Sequence, residues 1–178
     1  HSTQFERRLA QLLPDRYRDQ PASAIPMPGA AEIQLAEDGS VAWDHMWGDF
    51  CDLALAGGPA HRDTLLEPVT PEDVAANPAG YARVVDELKR GIELITRLEV
   101  ERDVELGWIG LVCENEEMAL WMLRAIIVEN ICVRRSGAVL FLPAGPDFRL
   151  HHEIKSVITV VAKTHHYWTE HVSAMAQR

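Results

Sequence analysis

The sequence predicts an α+β fold in which helices cover an antiparallel sheet. Three observations carry that prediction. From Gly107 onward the pattern runs strand, helix, hairpin, helix, a βαββα-like second half of the kind found where helices gather on one face of a sheet. A long amphipathic helix precedes it. The chain is also the size of one ordinary domain, and at 178 residues with 47% hydrophobic residues it can bury a core without disulfides.

Residues 1–30 read as an N-terminal helix followed by a Pro-rich arm. Phe5, Leu9, Leu12 and Leu13 stand at helical spacing, and Pro14 stops the run. Residues 31–178 read as a single α+β domain. AEIQLAEDGSVAW predicts a short strand with a turn at Asp38-Gly39. From Trp43, apolar residues at 43, 46, 47, 50 and 54 predict an amphipathic helix that Gly57, Gly58 and Pro59 end. TLLEPV suggests another short strand, and Thr70 is a fair N-cap for a helical turn at TPED. YARVVDELKRGIELITRLE is a longer helix whose buried face is Tyr81, Val84, Val85, Leu88, Ile92 and Ile95.

The second half follows in order. GWIGLVCE is strand-like, and EEMALWMLRAIIVEN is a helix with Glu116 and Glu117 in its favourable first turn. That helix is apolar nearly all round, which predicts cover on two sides, from the sheet and from another element or subunit. ICVRRSGAVLFLPA reads as a hairpin turning at Ser136-Gly137. The last helix, from about Leu150 to Ala174, carries one stripe of Ile154, Ile158, Val161, His165, Trp168 and Val172. An internal echo links PAGYARVVDELKRGIELITRL to PAGPDFRLHHEIKSVITVVAKT, about 65 residues on. It suggests a two-fold pseudo-repeat of halves 31–100 and 101–178, with a groove between them as the natural ligand site.

Charge narrows the function classes. A net charge of −10 and a pI near 5.2 argue against nucleic acid and anionic membrane as partners. No apolar run is long enough to span a bilayer. Three widely spaced cysteines without a CxxC fit reduced thiols, so a cytoplasmic location is expected. Cys113 and Cys132 read as inert packing residues, and Cys51 beside Asp52 has no cause for a lowered pKa.

Chemistry has three candidate places. AKTHHYW puts His165 on the apolar stripe, available as a general acid or base at a pocket floor; the bland alternative is a packed histidine bonded to a carbonyl or acid. Lys163 and His166 are expected at or near the surface, with His166 and Glu170 an i, i+4 pair. WDHMWGDFCD places His45, Asp49 and Asp52 on the polar side of a helix. With His61 they make a donor set for a divalent metal ion, although such side chains are ordinarily just solvated. AGGPAHR offers Gly57 and Gly58 amides, with His61 and Arg62, to an anion; a plain helix-stop loop is the simpler reading. Arg134 and Arg135 flank the hairpin turn and could clamp an acidic ligand or merely protect an edge.

These features lead to one expectation and one alternative. The chain should bind a small anionic or metal-associated ligand in a groove between its halves, as an enzyme of unassigned reaction or as a binding protein. Alternatively it is a non-catalytic, homo-oligomeric or partner-binding module built on the apolar helix 116–130 and the Trp-rich 43–47 segment. A homo-oligomer is expected on either reading.

Overall fold

The computed structural model describes residues 33–46 and 65–178. The helix and arm expected over 1–30 lie outside these residues, as does most of the helix expected after Trp43. Residues 43–46 are helical, and Trp43 and Met46 are buried, as their spacing requires. Before them, the expected strand reduces to one antiparallel bridge, Leu35 to Val41. The turn between has Gly39 at φ +82°, and the Asp38 carboxylate accepts from both the amide and the hydroxyl of Ser40. The strand expected at TLLEPV is likewise a single bridge, Leu66 to Ile131.

Helix α1, Pro71–Ala76, opens on a capping box. Thr70 Oγ1 accepts from the Asp73 amide at 3.2 Å, and Asp73 Oδ2 accepts from the Thr70 amide at 3.2 Å. Asn77 ends α1 and caps α2, Pro78–Thr96, by accepting from the Gly80 amide at 3.0 Å. Val84, Val85, Leu88 and Ile92 form the buried face of α2, as predicted, while Tyr81 and Ile95 are half-buried at its margins. The helix stops where Arg97 takes the left-handed conformation, φ 63°.

Strand β1, Val100–Glu105, was not foreseen, because VERDVE is mostly charged. It is an edge strand paired with β2, Trp108–Val112. The turn between them needs glycine: Gly107 sits at φ +89°, and a Cβ there would lie 2.7 Å from the Val69 carbonyl oxygen. Helix α3, Glu116–Ile127, starts at Asn115, whose side chain accepts from the Met118 amide at 2.8 Å. Strands β3, Arg134–Ser136, and β4, Val139–Pro143, form the predicted hairpin. A π-helical turn, Leu150–Ile154, leads into α4, Lys155–Ala176.

The four-stranded sheet has the order β1-β2-β4-β3, every pairing antiparallel. Two hairpins thus lie side by side and join along β2–β4, with Gly110 opposite Phe141. One face carries the core. Ile109, Leu111, Leu140 and Leu142 are fully buried there, in one cluster with Leu88 and Ile92 of α2, Met118 and Met122 of α3, and Val157 and Ile158 of α4. Helix α4 packs against both α2 and α3. Each such side chain contributes about 1.5–3 kcal/mol by leaving water. On the other face Arg134 lies flat across the strands. Its guanidinium is 4.2 Å from the Trp108 ring centroid and 5.6 Å from that of Phe141, and it ends on the Glu105 carboxylate.

The α+β class and the βαββα order of the second half are therefore what the structure has. The two segments of the internal echo fold as α2 and as the β4–α4 connection with α4. One lies before the first hairpin and the other after the second.

Helix α3 packs on β3 and β4 of the sheet and on α4, and it buries Met118, Ala119, Met122 and Ile126; Leu120 and Ile127, with Val128 just past its end, are 38%, 52% and 70% exposed. One expectation needs correction: Lys163, expected at or near the surface, is 4% exposed. Helix α4 is buried on every side from Lys155 to Thr164, not along one stripe, so its polar residues there are inside as well. Among the described residues, no helix is long and apolar enough to cross a membrane.

Candidate functional site

Two distant parts of the chain wall an open groove of about 1150 Å³. One wall is the flank of α2 that its apolar stripe leaves outside: Ala79, Ala82, Arg83, Asp86, Glu87 and Arg90 recur at helical spacing opposite Val84, Leu88 and Ile92. The other wall is the β4–α4 connection, Pro146 to Leu150, with Ile154. Residues 39–41 add to the lining. The connection turns tightly, the Phe148 amide donating to the Gly145 carbonyl at 3.1 Å. A Cβ on Gly145 would stand 2.7 Å from Val69 Cγ1, so glycine lets this turn sit close against the chain before α1. Phe148 folds back against the core, and Leu150 and Ile154 continue its apolar surface.

Some charges in the groove are already committed. Glu87 accepts from Arg90 Nη2 at 2.6 Å, Arg90 Nε at 3.1 Å and Trp43 Nε1 at 2.7 Å. Burial pushes the Glu87 carboxyl pKa up, but the bonds from Arg90 and Trp43 outweigh it and hold it below the usual carboxylate range. Arg90 also donates to the Val41 carbonyl at 2.9 Å, so this pair fastens the 39–43 segment onto α2. Asp86 is paired with Arg102 of β1.

Others are held more loosely or stand outside any ion pair among the described residues. Arg149 reaches Glu153 only at 3.4 Å, with 66% of its side chain exposed. Arg83 is exposed and has no ion pair among the described residues, and the same is true of Asp147. The groove thus offers guanidinium groups from both walls, suited to carboxylate or phosphate oxygens.

A second polar cluster lies along α4. Lys163 Nζ meets Glu129 Oε1 at 2.6 Å, their side chains 5% and 10% exposed. Lys155, Ser156 and Thr159 are also buried, and burial lowers the Lys155 pKa. Thr164 Oγ1 donates to the Val160 carbonyl at 2.8 Å, which satisfies it within the helix.

His165 is half-buried. Burial lowers its pKa below the ordinary 6.5; the nearby Glu114 carboxylate works the other way, and His166 adds to the lowering. It is not among the residues lining the groove. His166 Nε2 lies 3.3 Å from Glu170 Oε1, the expected i, i+4 pair. Next to them Trp168 joins Trp121 and His171 in an aromatic cluster with centroids 5.7–5.9 Å apart. His45 is exposed, its Nδ1 against Gln34 Oε1. Asp49, Asp52, Gly57, Gly58, His61 and Arg62 lie outside the described residues. Among the described residues, no group of three His, Cys, Asp or Glu side chains is placed to hold a metal ion. The Cys113 thiol is pushed up to about 12, by burial first and by Glu114 second, as fits a packing residue.

The groove brings together residues that sequence reasoning did not single out. Arg83 and Arg149 are far apart in the chain, yet each closely follows a PAG triplet, Pro78-Ala79-Gly80 and Pro143-Ala144-Gly145. The echo between those segments was the signal that could have paired them. No protein-family model matches the chain, and neither curated proteins nor solved structures give a significant match.

Proposed function

We propose that the protein binds an anionic ligand in the groove between segment 31–100 and segment 101–178. The observation that carries this reading is the pair Arg83 and Arg149, on opposite walls of one groove, with Arg83 outside any ion pair among the described residues. The half-buried Phe148 supplies an apolar surface beside them. The reading is one of binding, and His165 has no part in it because it does not reach the lining. A thermal-shift titration with inorganic phosphate and with succinate tests it. At a hundredfold excess over Kd, ligand linkage adds about 2.7 kcal/mol, or about 5–10 °C in Tm for a chain of this size. Arg83→Ala and Arg149→Ala should each remove most of that shift. Equal shifts in the parent and both variants would reject the groove as the site.

The exposed apolar flank of α3 favours a second reading, a homo-oligomeric interaction module. Leu120 and Ile127 on α3, Val128 just after it, and Val172 and Met175 on α4 are all exposed large side chains. Light scattering should then give a mass above one chain that Ile127→Asp and Val128→Asp each reduce to a monomer. A monomeric parent at high concentration would end this reading.

A further inference from the structure

We propose that the occupant of the groove is a peptide segment in which acidic side chains alternate with large apolar ones. This rests on the anion-binding reading above and names the class of ligand.

Size is the first argument. At about 1150 Å³ the groove exceeds the roughly 300–1,000 Å³ typical of pockets that enclose a small molecule. Its α2 wall runs from Ala79 to Arg90, about 17 Å at 1.5 Å per residue. That is the length of about five extended residues at roughly 3.3 Å each.

The lining is the second. Ala79 and Ala82 keep the α2 wall low, so a backbone can approach it closely. Phe148, Leu150 and Ile154 give the facing wall an apolar surface that an inorganic anion would leave wet. With Glu87 held by Arg90 and Asp86 by Arg102, Arg83 and Arg149 outnumber Asp147 in the lining, and each can hold a carboxylate.

Asp147 is the third. It stands between Phe148 and Pro146 on the same wall as Arg149. A carboxylate there disfavours a compact polyanion, but it can accept a backbone N–H from a chain that brings its own donors. A ligand with anions, apolar groups and amide donors in one extended body is a peptide.

Fluorescence anisotropy decides the matter, with the full chain and labelled heptapeptides. One peptide alternates aspartate with leucine or phenylalanine; its counterpart carries lysine for aspartate. Succinate and inorganic phosphate serve as free anions. The acidic peptide should bind, and its lysine counterpart at least tenfold more weakly. Arg83→Glu and Arg149→Glu should each weaken the acidic peptide by about ten- to a hundredfold, as expected for losing a charge-assisted hydrogen bond. Ala82→Trp, at a half-buried position of the α2 wall, should block it sterically, with far-UV circular dichroism confirming that the variant is folded. Succinate or phosphate binding that depends on Arg83, with no peptide binding, would overturn the peptide class and leave the anion site standing. Failure of every anion to bind would overturn both. Acidic-peptide binding that survives Arg83→Glu and Ala82→Trp would place it elsewhere and overturn the proposal.

Discussion

Replacing Lys163 with methionine should be among the costliest single changes in this chain. The Lys163–Glu129 pair is 2.6 Å long with side chains 5% and 10% exposed, so its charges are out of water. Methionine keeps most of the lysine stem, and the loss therefore reports the charge more than the packing. Removing one partner of a buried pair costs about 3–5 kcal/mol, because the other charge is left buried. For a chain of this length that is a fall of roughly 6–20 °C in Tm. The pair also ties the end of α3 to the middle of α4. Just beyond Glu129, Asn130 at φ 61° gives its carbonyl to the Leu66 amide at 2.8 Å, so damage should reach the 65–67 segment. Glu129→Gln should behave like Lys163→Met. The double variant Lys163→Met with Glu129→Leu should recover most of the loss, since an apolar pair removes both desolvation penalties. Urea denaturation followed by far-UV circular dichroism and tryptophan fluorescence measures all of these. Single-variant costs below about 1 kcal/mol, the worth of an exposed pair, would refute the reasoning. So would a double variant as unstable as the sum of the two.

Three further outcomes are expected. Gly91→Ala should lower stability by about 1 kcal/mol, because its Cβ would lie 2.6 Å from Ile158 Cδ1 and 2.9 Å from Trp43 Cδ1, and the gain in helix propensity does not offset that crowding; a higher Tm would contradict this. His165 binds its proton less well folded than unfolded, so stability is complete above pH 6.5 and falls as pH drops from there toward the lowered folded value. His165→Gln should flatten that part of the pH–stability curve, and an unchanged slope between about pH 5 and 7 would show that the fall comes from elsewhere. Elemental analysis of protein purified without chelators tests the donor set His45, Asp49, Asp52 and His61: near-stoichiometric metal lost in both His45→Ala and Asp49→Ala would support it, and metal-free protein would end it.

What the sequence made legible depended on how each element is stabilised. Helix α2 was readable because its apolar residues fall on one side and its caps are local. The second half was readable because apolar strands and a glycine turn leave a distinct pattern. Strand β1 was not, since its ladder to β2 is a main-chain interaction that VERDVE does not advertise in side chains. Lys163 was misplaced for a related reason. Polarity puts a lysine outside by default, and only tertiary packing reveals that Glu129 receives it inside. Of the candidate site, the sequence offered one indirect signal, the echo of the two PAG segments that precede Arg83 and Arg149. Arg83 and Arg149 acquire meaning when folding brings α2 beside the β4–α4 connection, whereas His45 meets Gln34 and His165 lies outside the groove lining.

The strand order has a consequence for how the chain assembles. The β1–β2 and β3–β4 pairings each close over a short turn and can form in about 1–10 μs. The β2–β4 seam instead joins strands roughly 30 residues apart across α3, and its loop-closure entropy must be met before its contacts count. Until that seam closes, each hairpin shows a bare inner edge, and those edges are WIGLV and VLFLP, the most apolar strands in the sheet. Exposed apolar edges are templates for pairing with other chains. Refolding yield should therefore fall as protein concentration rises, even though, among the described residues, the finished sheet has the charged strands β1 and β3 at its margins.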